Sequence, residues 1–102
     1  GEQLWERSVA TARQAGLEEH FMGWGDSRVR FVGHGVGLEL DEWPILAPKQ
    51  RTPLEAGNVI AVEPKFFFPG QGAVGLESTF VVKPGGAERL SLTSEELGVK
   101  PA

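Results

Sequence analysis

Apolar residues are spaced differently in successive stretches of the chain, and each spacing predicts a different element. Near the N-terminus Trp5, Val9 and Ala12 fall at i, i+4 and i+7 with Leu4 beside them, and charged residues fill the other faces. That is the period of a helix with one buried stripe. Gly16 is its predicted C-terminal stop. Residues 17–28 interleave Phe21, Met22 and Trp24 with glycines, which predicts a short helical turn and then loop. From residue 28 to residue 40 β-branched and aromatic residues alternate with Gly33, Gly35 and Gly37, a strand-like texture broken by glycine. Residues 41–57 carry Pro44, Pro48 and Pro53 and predict an extended loop, because proline removes backbone donors. Leu54 to Asn58 reads as a turn. Residues 59–68 and 73–82 predict two strands joined by a Pro69-Gly70-Gln71-Gly72 turn. Pro84-Gly85-Gly86 predicts another turn and residues 88–92 a last short strand. Thr93 or Ser94 is placed to cap a final helical turn in the tail. The class is α+β: an N-terminal helix packed on an antiparallel β-sheet.

The hairpin juxtaposes two acids. With the turn centred on Gly70, Glu63 stands opposite Glu77 on one face, Cβ atoms about 4.5–5.5 Å apart. Val62, Phe66, Leu76 and Phe80 surround them, so water screens the pair poorly. Such a pair is tolerated when one acid is protonated, when Lys65 or Arg30 neutralises it, or when a cation sits between the two. His34, flanked by Gly33 and Gly35, is a candidate third member, since glycine neighbours leave an imidazole uncrowded. One imidazole and two carboxylates suit Mn, Fe, Co or Zn.

Composition narrows the alternatives. The 102 residues allow one domain. A hydrophobic content of 40% argues against disorder, and a formal charge of −4 argues against a nucleic-acid partner. The chain has no cysteine, which removes thiolate metal sites, disulfides and thiol nucleophiles. No apolar run approaches the ~20 residues of a membrane span. Residues 70–75 match GxGxxG, but a strand follows where phosphate binding requires a helix. Ser91 and Ser94 lie in a polar tail without a histidine near them, so a serine nucleophile has no base. His20, beside Glu18 and Glu19, reads as a surface histidine, and Phe66 to Phe68 as strand core.

Taken in order, these residues resemble the pita-bread metallopeptidases: methionine aminopeptidase, aminopeptidase P and prolidase. The stretch from Phe31 to Leu40 is similar to the family's histidine-ligand strand. Val59 to Pro64, followed by Pro69-Gly70, is similar to its Glu-Pro strand. Val74 to Thr79 is similar to its last ligand strand, with Lys83 to Leu90 as the continuation. The likeness runs from about residue 28 to residue 92 and is closest to the prolidase and aminopeptidase P branch. It implies that residues 1–102 are the C-terminal portion of a pita-bread catalytic domain, and that the parent is a cytoplasmic exopeptidase that cleaves X–Pro bonds with two divalent ions (Mn, Co, Zn or Fe). His34, Glu63 and Glu77 would be three of five metal ligands, with His34 and Glu63 the catalytic residues. The fragment alone is then expected to be inactive and to hold metal weakly or not at all.

Departures from the family pattern accompany the likeness. The two further aspartate ligands belong upstream of the histidine, and this chain has only Asp26 and Asp41, neither in that context. The family's second histidine, seven residues after the ligand, contacts substrate; Asp41 stands there. Arg and Asp around the last glutamate are Gly75 and Ser78 here. These losses leave open a non-catalytic homologue acting as a binding module, and, without the resemblance, a small α+β domain with a chance Gly-His-Gly. A half-domain would also expose an apolar face, with Phe66 or Phe68, Trp43 and Leu38 as candidates, and is expected to form a homodimer.

Overall fold

The N-terminal helix α1 spans Glu2–Gln14, and the computed structural model describes residues 1–96 of the chain. Ala12 is buried and Trp5 and Val9 pack beside it, as the spacing predicts, whereas Leu4 faces solvent. The helix ends on Gly16, which takes φ +74° and lets its N–H reach Arg13 O (3.0 Å) while Leu17 N–H reaches Ala12 O (2.9 Å). This double closure is available at little cost only to a residue without Cβ. Single helical turns follow at Glu18–His20 and Gly25–Ser27.

Among the described residues seven strands come next: β1 (Gly33–Gly35), β2 (Glu42–Leu46), β3 (Val59–Val62), β4 (Lys65–Phe68), β5 (Gly72–Gly75), β6 (Ser78–Lys83) and β7 (Gly86–Arg89). All pairings are antiparallel, in a five-stranded sheet of order β2-β1-β3-β6-β7 and a two-stranded ribbon of β4 and β5. The helix packs on this sheet through a core of Ala12, Phe21, Met22, Val32, Leu46 and Ile60. The α+β reading therefore holds.

The element boundaries differ from those the sequence predicts. The stretch from 28 to 40 is strand only at Gly33–Gly35 and then bends. The proline-rich stretch contains β2, which the loop expectation missed; Pro44 fits there because β2 is an edge strand and its register with β1 slips past Pro44, so the missing donor breaks no ladder. The long strands at 59–68 and 73–82 each break in two, at Glu63-Pro64 and Leu76-Glu77. Their register nevertheless runs through the break: Val62 faces Ser78 above it and Lys65 faces Gly75 below. Pro64 has no N–H to offer the ladder, and its carbonyl accepts the Leu76 N–H (3.2 Å). The last strand is Gly86–Arg89, slightly earlier than predicted. Ser94 Oγ accepts the Glu96 N–H at 3.1 Å; the helical turn expected beyond it lies outside the described residues.

Candidate metal centre

The sheet register brings the three predicted ligands together. His34 in β1 pairs with Ala61 in β3, and Ala61 pairs with Thr79 in β6. Paired residues share a face, as do residues two apart on one strand. Glu63 lies two residues beyond Ala61 and Glu77 two before Thr79, so both acids fall on the face of His34. The break at Glu63-Pro64 and Leu76-Glu77 frees both from ladder geometry. His34, Glu63 and Glu77 each offer a ligand atom, and these atoms lie within 4.8 Å of one another. Ligands at about 2.1 Å from an ion are separated by about 3 Å when adjacent and about 4.2 Å when opposed, so this donor set fits one divalent cation after a small contraction. His34 is buried, Glu63 half-buried and Glu77 exposed, which leaves one open side.

The glycines around His34 have a structural cause. A Cβ on Gly35 would lie 2.6 Å from the Trp43 carbonyl carbon and 2.8 Å from Glu42 O, and one on Gly33 would lie 2.7 Å from Leu46 Cδ1. Neighbouring backbone thus closes on β1 from both sides, and His34 is left at 4% exposure. Its Nδ1 lies 2.9 Å from Gly35 O and donates to it, so the lone pair of the neutral ring is on Nε2, the nitrogen that faces the acids. Nε2 lies 3.1 Å from Asp41 Oδ1 and 3.4 Å from Glu63 Oε2. Burial pushes the His34 pKa down. The Gly35 carbonyl and the Asp41 and Glu63 charges outweigh burial, and the imidazole ends above the usual histidine range. Burial likewise pushes the Glu63 carboxyl up, but Lys65, the His34 imidazole and a hydrogen bond with Glu77 hold it below the ordinary glutamate value.

Lys65, not Arg30, serves the acid pair: its Nζ lies 3.1 Å from Glu63 Oε1. Its stem runs across Gly75, where a Cβ would meet Lys65 Cγ at 2.6 Å. The glycine that departs from the family's arginine thus makes room for another cation. Ser78 does not support Glu77; it is buried and donates to Glu95 Oε1 at 2.5 Å. Asp41, expected at a substrate position, lies against Nε2 of His34. Glu42, which the sequence reading passed over, holds the loop behind it by accepting the Glu39 N–H (3.2 Å); its signal is Gly37, where a Cβ would collide with that carboxylate.

Two other expectations are corrected. His20 is not a simple surface histidine: Nδ1 lies 2.8 Å from Phe67 O, and the ring stacks on Trp24 at 4.8 Å and packs against Phe68 at 4.7 Å. Phe66 packs on Phe21 at 5.5 Å, so neither Phe66 nor Phe68 belongs to the exposed apolar face, while Leu38, Leu40 and Trp43 do. Among the described residues, no helix is long and apolar enough to cross a membrane.

Residues 1–84 match the model of metallopeptidase family M24. The chain is 43% identical over 75 residues to an Xaa-Pro dipeptidase of Pyrococcus furiosus, covering 74% of this chain and 22% of that protein. It is 34% identical over 79 residues to an Xaa-Pro dipeptidase of Lactobacillus delbrueckii subsp. lactis, covering 78% and 22%. Among solved structures it superposes on a dipeptidase from Pyrococcus horikoshii OT3 with a TM-score of 0.78 and 32% identity, covering 90% of this chain and 24% of that one. An X-Pro aminopeptidase from Thermotoga maritima gives 0.76 and 28%, covering 86% and 23%. The chain thus spans about a fifth to a quarter of the length of these relatives.

Proposed function

The chain belongs to metallopeptidase family M24, and from that premise we propose that residues 1–102 are the C-terminal portion of a catalytic domain that hydrolyses X–Pro bonds in short peptides. The observation that carries this is the convergence of His34, Glu63 and Glu77 within 4.8 Å. In this proposal the three hold part of a centre for two divalent ions, with manganese the first candidate, and the remaining ligands are aspartates outside these 102 residues. The printed activity of the relatives, Xaa-Pro dipeptidase, supports the substrate class. A cytoplasmic location and a homodimer belong to the same proposal.

Bound divalent ions would lower the pKa of a coordinated water and polarise the scissile carbonyl. The chain's own residues have separable tasks. His34, oriented by Gly35 O, would offer Nε2 to the ion. Glu63, kept ionised by Lys65, is the carboxylate that would accept a proton from the attacking water and return it to the leaving nitrogen. Glu77 closes the set from the exposed side. The test is calorimetry with Mn(II) or Co(II) on the intact protein, together with an assay of X–Pro dipeptide hydrolysis. Metal binding and hydrolysis are expected, and Glu63→Gln should abolish turnover. An intact protein that binds neither ion, or cleaves no X–Pro peptide, refutes the proposal. The Asp41 contact with His34 favours a second reading, a non-catalytic homologue that binds partners; metal binding without hydrolysis of any X–Pro peptide would select it.

A further inference from the structure

Resting on the metal centre proposed above, we infer that Asp41 is itself a ligand of the divalent ion held by His34, so that a loop residue adds a fourth donor from this chain to the three already placed. Nδ1 of His34 is committed to Gly35 O, which leaves Nε2 as the ring's free donor. Two carboxylate oxygens face that nitrogen, Asp41 Oδ1 at 3.1 Å and Glu63 Oε2 at 3.4 Å. A neutral imidazole turns a lone pair toward both, an arrangement that is repulsive unless a proton or a metal cation is shared among the three atoms. Adjacent ligands about 2.1 Å from an ion lie about 3.0 Å apart at right angles and about 3.4 Å apart in a tetrahedron. The two observed separations have the length of the edges of a coordination polyhedron.

The backbone holds Asp41 in this place. The β1–β2 register slips beside His34, so that Gly35 pairs with Glu42 and not with the residue the preceding pairs would give. Asp41 is the residue immediately before that slip. The loop ahead of it is folded back by Gly37 N–H on Glu39 O (3.2 Å) and by the Glu42 carboxylate lying over bare Gly37. The Asp41 side chain is 66% exposed, so its carboxylate sits at the mouth of the centre, where ligation costs little desolvation. Asp41, Glu63 and Glu77 with a single imidazole form a hard donor set, suited to Mn(II) more than to softer ions.

Mn(II) titration of the intact protein by calorimetry tests this, with Asp41→Asn and Glu63→Gln compared in parallel and the Co(II) visible spectrum as a second readout. Asp41→Asn keeps the size of an exposed side chain, and circular dichroism verifies its fold. At least a tenfold loss of Mn(II) affinity and a changed Co(II) band are expected, with Asp41→Glu recovering part of the loss. Unchanged or tighter binding in Asp41→Asn, while Glu63→Gln weakens it, overturns the role of Asp41 and leaves the centre standing. That result would also be given by an Asp41 that merely pairs with a protonated His34. Binding unchanged in both variants overturns the centre and this inference together.

Discussion

Gly35→Ala probes the claim that neighbouring backbone closes around His34. The added methyl would lie 2.6 Å from the Trp43 carbonyl carbon and 2.8 Å from Glu42 O. Ordinary carbon contacts are about 3.5–4 Å, so β1 and β2 must part by about 1 Å. Backbone atoms cannot rotate away as a flexible side chain does. The cost therefore falls at the upper end of the overpacking range, about 3 kcal/mol, which for a domain of this size lowers Tm by roughly 12–24 °C. The same displacement moves Gly35 O, the acceptor that orients His34 Nδ1. Loosening such an orienting contact typically weakens a metal about 10–100-fold. Gly86→Ala is the control, because a Cβ there meets nothing within 4 Å. The assay is urea unfolding of both variants without metal, followed by Mn(II) titration. A loss below about 0.5 kcal/mol in Gly35→Ala, or equal losses in the two variants, would show that strand closure does not position the histidine.

Leu46 is fully buried, so Leu46→Ala should cost about 3 kcal/mol in the same unfolding experiment, and a loss under 1 kcal/mol would place the core elsewhere. In EDTA, stability should peak between the ordinary values of Glu63 and His34, 4.5 and 6.5. The raised His34 pKa contributes fully below its unfolded value and is lost as pH rises through the folded value; the lowered Glu63 pKa contributes fully above its unfolded value and is lost as pH falls through the folded one. Urea midpoints should therefore be higher near pH 6 than at pH 8 or pH 4, and a His34→Gln variant that keeps the decline toward pH 8 would contradict the assignment. Light scattering of the 102-residue chain should report a dimer that Leu38→Glu dissociates, since Leu38, Leu40 and Trp43 are exposed at 105%, 82% and 70%; a monomer at high concentration refutes this.

What was readable in advance depended on a single repeat. Because side chains alternate with period two, placing the turn at Gly70 was enough to set Glu63 opposite Glu77, and the register from Val59–Val81 down to Phe68–Gly72 follows the same count. Helix α1 was readable for the corresponding reason at period 3.6. Pro64, with no N–H for a ladder, marks an irregularity there, but not that the hairpin divides between two sheets, which is a matter of sheet membership and not of local pattern. Strand β2 was hidden for a related reason: Pro44 argues against a strand in a sheet interior and is harmless at an edge, and only the topology makes β2 an edge.

The position of Asp41 shows why a motif and a site are different things. Counting seven residues from His34 places Asp41 where the family has a substrate-contacting histidine. The chain instead bends after Gly35, and Gly37, having no side chain, lets the Glu42 carboxylate fold the loop back. Asp41 then returns to the histidine it follows, at 3.1 Å from Nε2. The glycines that break the strand pattern are the ones that allow β2 to approach and the loop to close. Local propensity is lost around His34 so that the imidazole can be enclosed by backbone and approached by acids from three segments. That conflict between local preference and tertiary demand is where a site is expected in an otherwise consistent fold. It gives Gly33, Gly35 and Gly37 a role in assembling the centre that none of them has as a donor.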